Sequence, residues 1–284
     1  MDLSKLGSNV EHATDLLTGS GHCGHKVNQP LVFEYHGLWQ HKVGLLQTMR
    51  ELYGSRRLDS FGGSYGWSVR YRQVEDYDEI NIHTLSEYLD AFESGSTHLP
   101  YLRHLSVNRA MSELRRYIKH PAEFGNNWVS HPRLDRLSGP EFFIGQAGTT
   151  FGHVHQDQAA VHVGFVQLQG EKEFVVFPPE DSKYLYPTSG REFPYQLRNS
   201  KVSYKSINDV KTFPLLRKAS PMRIRLRRGQ ALLLPANWWH TTRNISDSVG
   251  YSVRIINSSN VLQSMGVHAE GIPRWLRRQG EAIL

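Results

Sequence analysis

Hydrophobic positions in the first half of the chain recur mainly with a helical period. Residues 41–53 carry apolar side chains three or four positions apart, and this pattern predicts a short amphipathic helix. Thr84 is a favourable N-cap for a second helix over residues 85–92, and Glu87 stands at the capping-box position. Residues 106–119 predict a third helix. The first half is therefore expected to be largely helical.

From about residue 137 the period changes to the two-residue alternation of half-buried strands. Short alternating runs separated by polar or glycine-containing turns are typical of antiparallel sheets. The pattern predicts a mainly β fold, a double-stranded β-helix or jelly roll, with helices before it and a short helix after it. The predicted strands are residues 141–145, 159–168, 172–177, 222–227, 230–234 and 249–256, preceded by 29–35 and 67–71.

The same pattern divides the chain into an arm, one large domain and a C-terminal segment. Residues 1–28 are polar without a sustained period, and residues 258–284 are expected to include a short basic helix. Between them, residues 29–257 predict a single domain. Its helical part covers residues 29–136 and its jelly-roll core covers residues 137–257.

Residues 180–220 interrupt the strand pattern with prolines and several tyrosines, Tyr186 among them. We expect a loop excursion near the mouth of the jelly roll, because long irregular loops in compact domains are usually functional or disordered. The aromatic content argues against disorder. Two placements are equally compatible with the sequence: the loop grips an extended peptide over the site, or it packs on the outer sheet.

Composition sets broad limits on partners and compartment. The 284 residues carry a formal net charge of +6 with a pI near 9.4, which leaves nucleic acid open as a partner. Alternating arginines over residues 223–228 could face phosphates or form the solvated face of an outer strand. Cys23 is the single cysteine, so we expect no disulfide and a cytoplasmic location, or a nuclear one in a eukaryote. We expect no signal peptide or membrane span, and nothing indicates an oligomeric state.

Three side chains form the strongest candidate site. His155 and Asp157 lie two residues apart between strand-like runs, and His240 follows 85 residues after His155 in an apolar, tryptophan-containing run. Two histidines and one carboxylate are the ligands of the facial triad that binds iron(II) and leaves coordination positions open. A strand end or bulge lets His155 and Asp157 both face inward, and we expect His240 to approach from the opposite sheet. His153 is a rival ligand, but only His155 has a carboxylate two residues on.

These residues, together with Lys172 and the segment Trp238-Trp239-His240, resemble the JmjC and cupin-like branch of the 2-oxoglutarate oxygenases. The resemblance implies a jelly-roll core and a dioxygenase that uses iron(II), 2-oxoglutarate and O2. It further implies hydroxylation of a side-chain carbon in a protein or peptide, with release of succinate and CO2. The resemblance covers about residues 29–257, and its specific motifs lie within 155–179 and 229–256.

The resemblance also implies which residues hold the co-substrate. In the family, a lysine beyond the metal strand pairs with the distal carboxylate of 2-oxoglutarate, and Lys172 stands 17 residues after His155. Period two places Lys172 on the face of Phe174 and Val176, where a buried ammonium needs an anion. Tyr101 resembles the tyrosine that helps to hold the same carboxylate.

Two positions depart from the family pattern. The family's threonine lies three residues before the metal histidine, where this chain has Gly152, so Thr149 or Thr150 could supply the hydroxyl. On the last strand, Ser252 and Arg254 should point into the site, and many relatives have asparagine at the second of these positions. Arg254 could assist the anchoring lysine, replace it, or bind an acidic group of the substrate.

The motifs do not specify the substrate. His153, Trp238 and Tyr186 are candidate substrate contacts. Demethylation of N-methyl-lysine and oxidation of RNA or of a small metabolite would use the same metal chemistry and stay open as alternatives. A cupin-like binding protein without turnover is an alternative from a different class, although retention of the whole triad and its lysine argues against it.

Overall fold

Eleven strands dominate the part of the chain that the structure describes. The computed structural model describes residues 28–58, 82–96, 99–125, 127–128, 139–188 and 198–266. The strands are β1 Leu31–Glu34, β2 Leu102–Ser106, β3 Glu141–Gly145, β4 His153–Gln156, β5 His162–Gln169, β6 Glu171–Phe177, β7 Arg198–Ser203, β8 Met222–Arg227, β9 Gln230–Leu234, β10 Trp239–Asn244 and β11 Ser248–Ile255.

The strands form two antiparallel sheets that face each other. The six-stranded sheet has the order β1-β9-β5-β11-β3-β2, and the five-stranded sheet has the order β7-β4-β10-β6-β8. This arrangement confirms the predicted mainly β, jelly-roll class. The predicted strand over residues 67–71, the arm up to residue 27 and the basic part of the C-terminal segment lie outside the described residues.

Short helices precede the core and also connect some of its strands. Thr84 begins the second of them as predicted, because its hydroxyl accepts from the Glu87 amide at 3.3 Å and the Glu87 carboxylate accepts from the Thr84 amide at 3.1 Å. None of the described helices is long and apolar enough to span a membrane. The α-helices are α1 Leu45–Tyr53, α2 Leu85–Glu93 and α3 Val107–Ala110, and the 3-10 helices are Ser112–Tyr117, Ala122–Phe124, Gln158–Ala160, Pro179–Tyr184 and Pro214–Lys218.

The continuous helix predicted over residues 106–119 is wrong. Ser106 ends β2 and caps α3, with its hydroxyl accepting from the Arg109 amide at 3.3 Å. The helix stops after one turn because Met111 has a non-helical backbone, with φ −137° and ψ 45°. A 3-10 helix, Ser112–Tyr117, follows. The apolar residues of this segment therefore belong to two short helices, α3 and the 3-10 helix, and not to one continuous helix.

Apolar side chains form three layers around the two sheets. The inner cluster lies between the sheets and combines Phe143 and Phe165 of one sheet with Phe174 and Val176 of the other. A second cluster packs α1 and α2 against the outer face of the six-stranded sheet. The third, which we call the outer cluster, covers the outer face of the five-stranded sheet and includes Trp239. Because side chains alternate along a strand, one set of residues faces the space between the sheets and the other set packs in the clusters on the outer faces.

The segment 180–220, predicted as an irregular excursion, contains a sheet strand. Strand β7 pairs with β4, with His155 opposite Asn199, so it satisfies backbone groups that β4 would otherwise leave unpaired. Leu185, Val202 and Leu216 then pack into the outer cluster. The described part of the segment therefore packs on the outer sheet, while residues 189–197 lie outside the described residues.

The β5–β6 hairpin supplies a stability prediction. Gly170 has φ +69°, and a Cβ there would collide with the backbone carbonyl of Asp247, whereas Gly95 has φ +74° with open space around it. We expect Gly95→Ala to cost about 1–2 kcal/mol, the conformational cost of a left-handed alanine. Gly170→Ala should cost more than about 3 kcal/mol, because the backbone must also shift. Urea unfolding of both variants measures the difference, and equal losses would contradict it.

Candidate metal centre

Two histidines face each other on neighbouring strands. His155 of β4 and His240 of β10 are paired in the antiparallel register, and their ring centroids lie 4.2 Å apart. Each side chain is buried, with 6% of its residue surface exposed. His240 therefore does not approach from the opposite sheet, as predicted, but from the adjacent strand of the same sheet. The pairing itself fixes their separation, because directly opposite residues in antiparallel strands have neighbouring Cβ atoms.

Backbone carbonyls orient both imidazole rings. The Nδ1 of His155 lies 3.1 Å from the carbonyl oxygen of His153, and the Nδ1 of His240 lies 3.4 Å from that of Trp238. A carbonyl only accepts, so each Nδ1 donates its proton, and each Nε2 offers a lone pair whenever its ring is neutral. This is the tautomer that metal-binding histidines adopt when an outer group holds the other ring nitrogen.

Asp157 completes the group just after β4 ends. Its Oδ2 lies 3.3 Å from the Nε2 of His240, and the ligand atoms of the three residues all lie within 4.8 Å of one another. The chain turns immediately afterwards, with Ala159 at φ 58° and Ala160 at φ 49°. Two imidazole nitrogens and one carboxylate oxygen fit the donor set of the iron(II) facial triad. The predicted ligands are thus brought together as one group that could hold a metal ion.

The protonation of the group suits a cation. Burial, followed by the charge of His240, lowers the pKa of His155 to about 3, so its imidazole is neutral at ordinary pH. Burial would raise the pKa of Asp157, but the charges of His240 and Arg254 lower it below its ordinary value. A metal binds neutral imidazole and ionised carboxylate, and His155 and Asp157 are in these forms.

His153, Trp238 and Tyr186 lie in three different environments. The side chain of His153 is exposed at a register shift between β4 and β7, and only its carbonyl serves the centre. Trp238 belongs to the inner cluster with 7% of its surface exposed. Tyr186 packs against the outer cluster, 5.2 Å from the ring of Phe213, and its hydroxyl accepts from the Leu215 amide. Of these three predicted substrate contacts, the structure places Tyr186 behind the metal strands.

Lys172 lies inside the jelly roll, as its alternation with Phe174 and Val176 predicts. Only 1% of its surface is exposed, and its Nζ donates to the Tyr101 hydroxyl at 2.6 Å. Its ammonium also lies over the rings of Tyr101 and Phe165, at 5.0 and 5.4 Å from their centroids. Burial lowers the pKa of Lys172 to about 7, and no described carboxylate offsets it.

Asn244 is a buried polar residue beside Lys172 that the sequence analysis did not identify. It is fully buried and stands opposite Lys172 in the β10–β6 register. Its Nδ2 donates to the Thr149 hydroxyl at 2.8 Å, whereas its Oδ1 has no hydrogen-bond partner among the described residues. Continuing the two-residue alternation from His240 would have identified it. The Thr149 hydroxyl thus contacts Asn244, whereas Thr150 pairs with Arg243 through an isolated backbone β-bridge. The role predicted for the Thr150 hydroxyl stays a prediction.

Arg254 lies beside the metal ligands and not beside the buried lysine. Its Nε is 3.6 Å from Oδ1 of Asp157, and its terminal nitrogen is 3.5 Å from Oε1 of Glu141. The other Glu141 oxygen lies 2.7 Å from Nδ1 of His104. Burial would raise the pKa of Glu141, but the charges of Arg254 and then His104 lower it to about 2. Ser252, two residues before Arg254, shares its side of the sheet.

Known proteins share parts of this sequence. The model of the cupin-like domain family matches residues 28–255. Over 100 residues the chain is 38% identical to HSPB1-associated protein 1 from Homo sapiens, which covers 35% of this chain and 20% of that protein.

Two further relatives match over similarly short stretches. The chain is 33% identical to tRNA wybutosine-synthesizing protein 5 from Homo sapiens over 92 residues, 32% of this chain and 25% of that protein. It is 31% identical to Jumonji C domain-containing protein 5 from Drosophila melanogaster over 110 residues, 39% of this chain and 26% of that protein. The matched stretches thus span about a fifth to a quarter of these relatives.

The geometry predicts that metal binding needs all three ligands. His155→Ala, Asp157→Ala and His240→Ala should each abolish stoichiometric iron(II) binding, because each removes one donor of the triad. His153→Ala is the matched control, because its exposed side chain lies outside the group. Anaerobic calorimetric titration of iron(II) measures all four variants. Full binding by His155→Ala together with loss in His153→Ala would show that the triad is misassigned.

Proposed function

The chain belongs to the JmjC/cupin-like family, and we propose that it is an iron(II)- and 2-oxoglutarate-dependent dioxygenase. One observation carries this proposal: a group of candidate metal ligands and a buried ammonium that no described carboxylate contacts share the interior of one jelly roll. A metal site alone would suit many cupin-like proteins. The additional buried cation favours a metal centre that works with an anionic co-substrate.

The protein residues have distinct tasks in this proposal. His155, Asp157 and His240 would hold iron(II). The bound metal and 2-oxoglutarate would supply the oxidation that inserts one oxygen atom of O2 into a C–H bond, with the other oxygen leaving in succinate and with release of CO2. The aromatic inner cluster would limit the access of water to the interior and thereby strengthen charge interactions there.

Lys172 is the proposed anchor of the distal carboxylate of 2-oxoglutarate. A buried ammonium is costly unless an anion offsets its desolvation, and the described residues supply only the Tyr101 hydroxyl and aromatic rings. A dicarboxylate would supply the missing charge, and Tyr101 would donate a second hydrogen bond to it. Arg254 is less suited to this task because Asp157 and Glu141 already engage its guanidinium.

A protein or peptide side chain is the substrate class that we propose. HSPB1-associated protein 1 is named for association with a protein, which supports a protein partner for this chain. RNA is the second candidate, supported by the similarity to tRNA wybutosine-synthesizing protein 5 and by the net charge of +6. Acidic residues engage part of the basic surface, however: Arg223 contacts Glu173 at 2.7 Å and Arg225 contacts Glu171 at 2.6 Å. These pairs weaken the case for a phosphate-binding stripe along β8.

The function is tested by following co-substrate and product together. The full chain is incubated with iron(II), 2-oxoglutarate and O2, first alone and then with a peptide library, RNA and a metabolite mixture. Formation of succinate, together with the mass gain of one oxygen atom on a peptide, is the expected result. Formaldehyde release would instead indicate demethylation of N-methyl groups. Metal binding without any succinate would favour a non-catalytic binding protein.

Loss of the buried cation should weaken co-substrate binding specifically. A charge-assisted hydrogen bond contributes roughly 1.5–3 kcal/mol, so Lys172→Ala should raise the Kd for 2-oxoglutarate by about tenfold to a hundredfold. The surface variant Lys201→Ala should leave the Kd unchanged. Calorimetry on manganese-loaded protein measures both. If Arg254→Ala weakens binding and Lys172→Ala does not, the anchor lies on β11.

The pKa of Lys172 predicts a pH dependence. Without a bound anion, burial lowers this pKa to about 7, so the ammonium form is lost as the pH rises through that value. The dicarboxylate binds the ammonium form, so affinity should be highest below about pH 7 and fall by about tenfold per pH unit above it. The slope should end where the pKa of the occupied state is reached. Calorimetry across this range measures the slope, and Lys172→Ala, which cannot titrate, should lack it.

A further inference from the structure

We infer that Arg254, held by Glu141 and His104, positions the Asp157 carboxylate so that only its Oδ2 faces the metal. The inference rests on the proposed metal site and deepens it. In this role Arg254 is a positioning residue, because it acts through Asp157 without contacting the metal position itself.

The two oxygens of Asp157 have different partners. Oδ2 lies 3.3 Å from the Nε2 of His240, on the side where the three ligand atoms converge. Oδ1 lies 3.6 Å from the Nε of Arg254, which comes from β11 in the opposite sheet. A carboxylate with one oxygen drawn to a guanidinium resists turning both oxygens to the metal. The geometry therefore favours a ligand that occupies one coordination position.

Arg254 is itself fixed by a second carboxylate. Its terminal nitrogen lies 3.5 Å from Oε1 of Glu141, and Oε2 of Glu141 lies 2.7 Å from Nδ1 of His104. The three side chains are mostly buried, with between 17% and 23% of their surface exposed. An arginine with two carboxylates on different nitrogens has little freedom to rotate. Arg254 thus bridges the two sheets at a defined orientation.

The backbone is unusual at His104, the residue that contacts Glu141. His104 has φ 57°, in the left-handed region that non-glycine residues rarely adopt, and it lies at a register shift between β2 and β3. Its ring packs 5.1 Å from that of Phe143 and 5.7 Å from that of Phe151. Strained residues persist where surrounding packing over-determines them, and they cluster at functional sites. The bulge directs His104 at Glu141.

The number of free coordination positions depends on this arrangement. Three single-atom protein ligands leave three positions of an octahedral metal open, whereas a bidentate Asp157 would leave only two. The proposed reaction needs an open face for its co-substrates. A charge effect alone would act with the opposite sign on metal affinity, because a nearby guanidinium repels a metal cation. The two explanations can therefore be separated by measurement.

The test uses cobalt(II) binding by the metal-free full-length chain, read by calorimetry and by visible absorption. Arg254→Leu removes the bridge and its charge, whereas Arg254→Lys keeps the charge and removes the two-sided contact. Both variants should bind cobalt(II) about tenfold more weakly and show an altered absorption spectrum, as changes beside metal ligands typically do. Arg225→Leu, which removes the ion pair with Glu171 on β8, is the matched control and should match the wild type.

Glu141→Gln tests whether Glu141 contributes to the position of Asp157 through Arg254. Alone it should weaken cobalt(II) binding, but in the Arg254→Leu background it should add little, because its effect passes through Arg254. Equal losses of cobalt(II) affinity in both backgrounds would show that Glu141 acts by its charge alone. That result would overturn the claim that Glu141 acts through Arg254.

The Arg254 variants decide the central claim. Tighter cobalt(II) binding by Arg254→Leu, together with wild-type affinity and spectrum in Arg254→Lys, would overturn the positioning role. If Arg254→Leu fails to fold, Arg254→Lys decides alone. A wild-type chain that binds no cobalt(II) through its triad would instead refute the proposed metal site, so the two failures are distinguishable.

Discussion

The pairing of β4 with β10 is the constraint on which the site depends. Side chains alternate along a strand, so a slip of one residue in either strand would turn its metal histidine to the outer face. Outward neighbours oppose such a slip: Val154 and Trp239 are fully buried in the outer cluster. The Thr241 hydroxyl also donates to the Phe151 carbonyl at 2.6 Å. Apolar packing behind the sheet therefore holds the ligands in front of it.

Features carried by local sequence could be predicted. The capping box at Thr84 needs only residues within one turn, and the inward face of Lys172 follows from two-residue alternation across β6. The candidate metal ligands His155 and Asp157 also belong to a local motif, and the structure brings them together with His240. In each case the relevant physics acts between residues close together in the chain, or between residues joined by a recognisable family pattern.

Features that depend on strand pairing could not be predicted in the same way. The sheet to which His240 belongs is decided by hydrogen bonds to β4 and β6, whose partners are distant in sequence. Strand β7 was not predicted, because the residues near it in sequence include prolines and aromatic residues that suggest a loop. Its pairing partner, β4, lies more than forty residues earlier in the chain. Arg254 was expected to point inward, but its contact with Glu141 joins residues more than a hundred positions apart. Alternation gives the direction of a side chain but not its partner.

Lys172, which is buried, and Arg254, which is mostly buried, differ in whether a carboxylate of the protein already contacts them. Arg254 has two carboxylates, Asp157 and Glu141, and its charge is therefore committed within the protein. Lys172 has a phenol hydroxyl and aromatic rings, which cannot offset an ammonium fully, and its lowered pKa reflects that deficit. A committed cation suits the shaping of a metal ligand, whereas an uncommitted one suits the capture of an anion. In the proposed function, the distribution of carboxylates, rather than that of the cations, would thus assign Arg254 to the metal ligand Asp157 and Lys172 to the co-substrate.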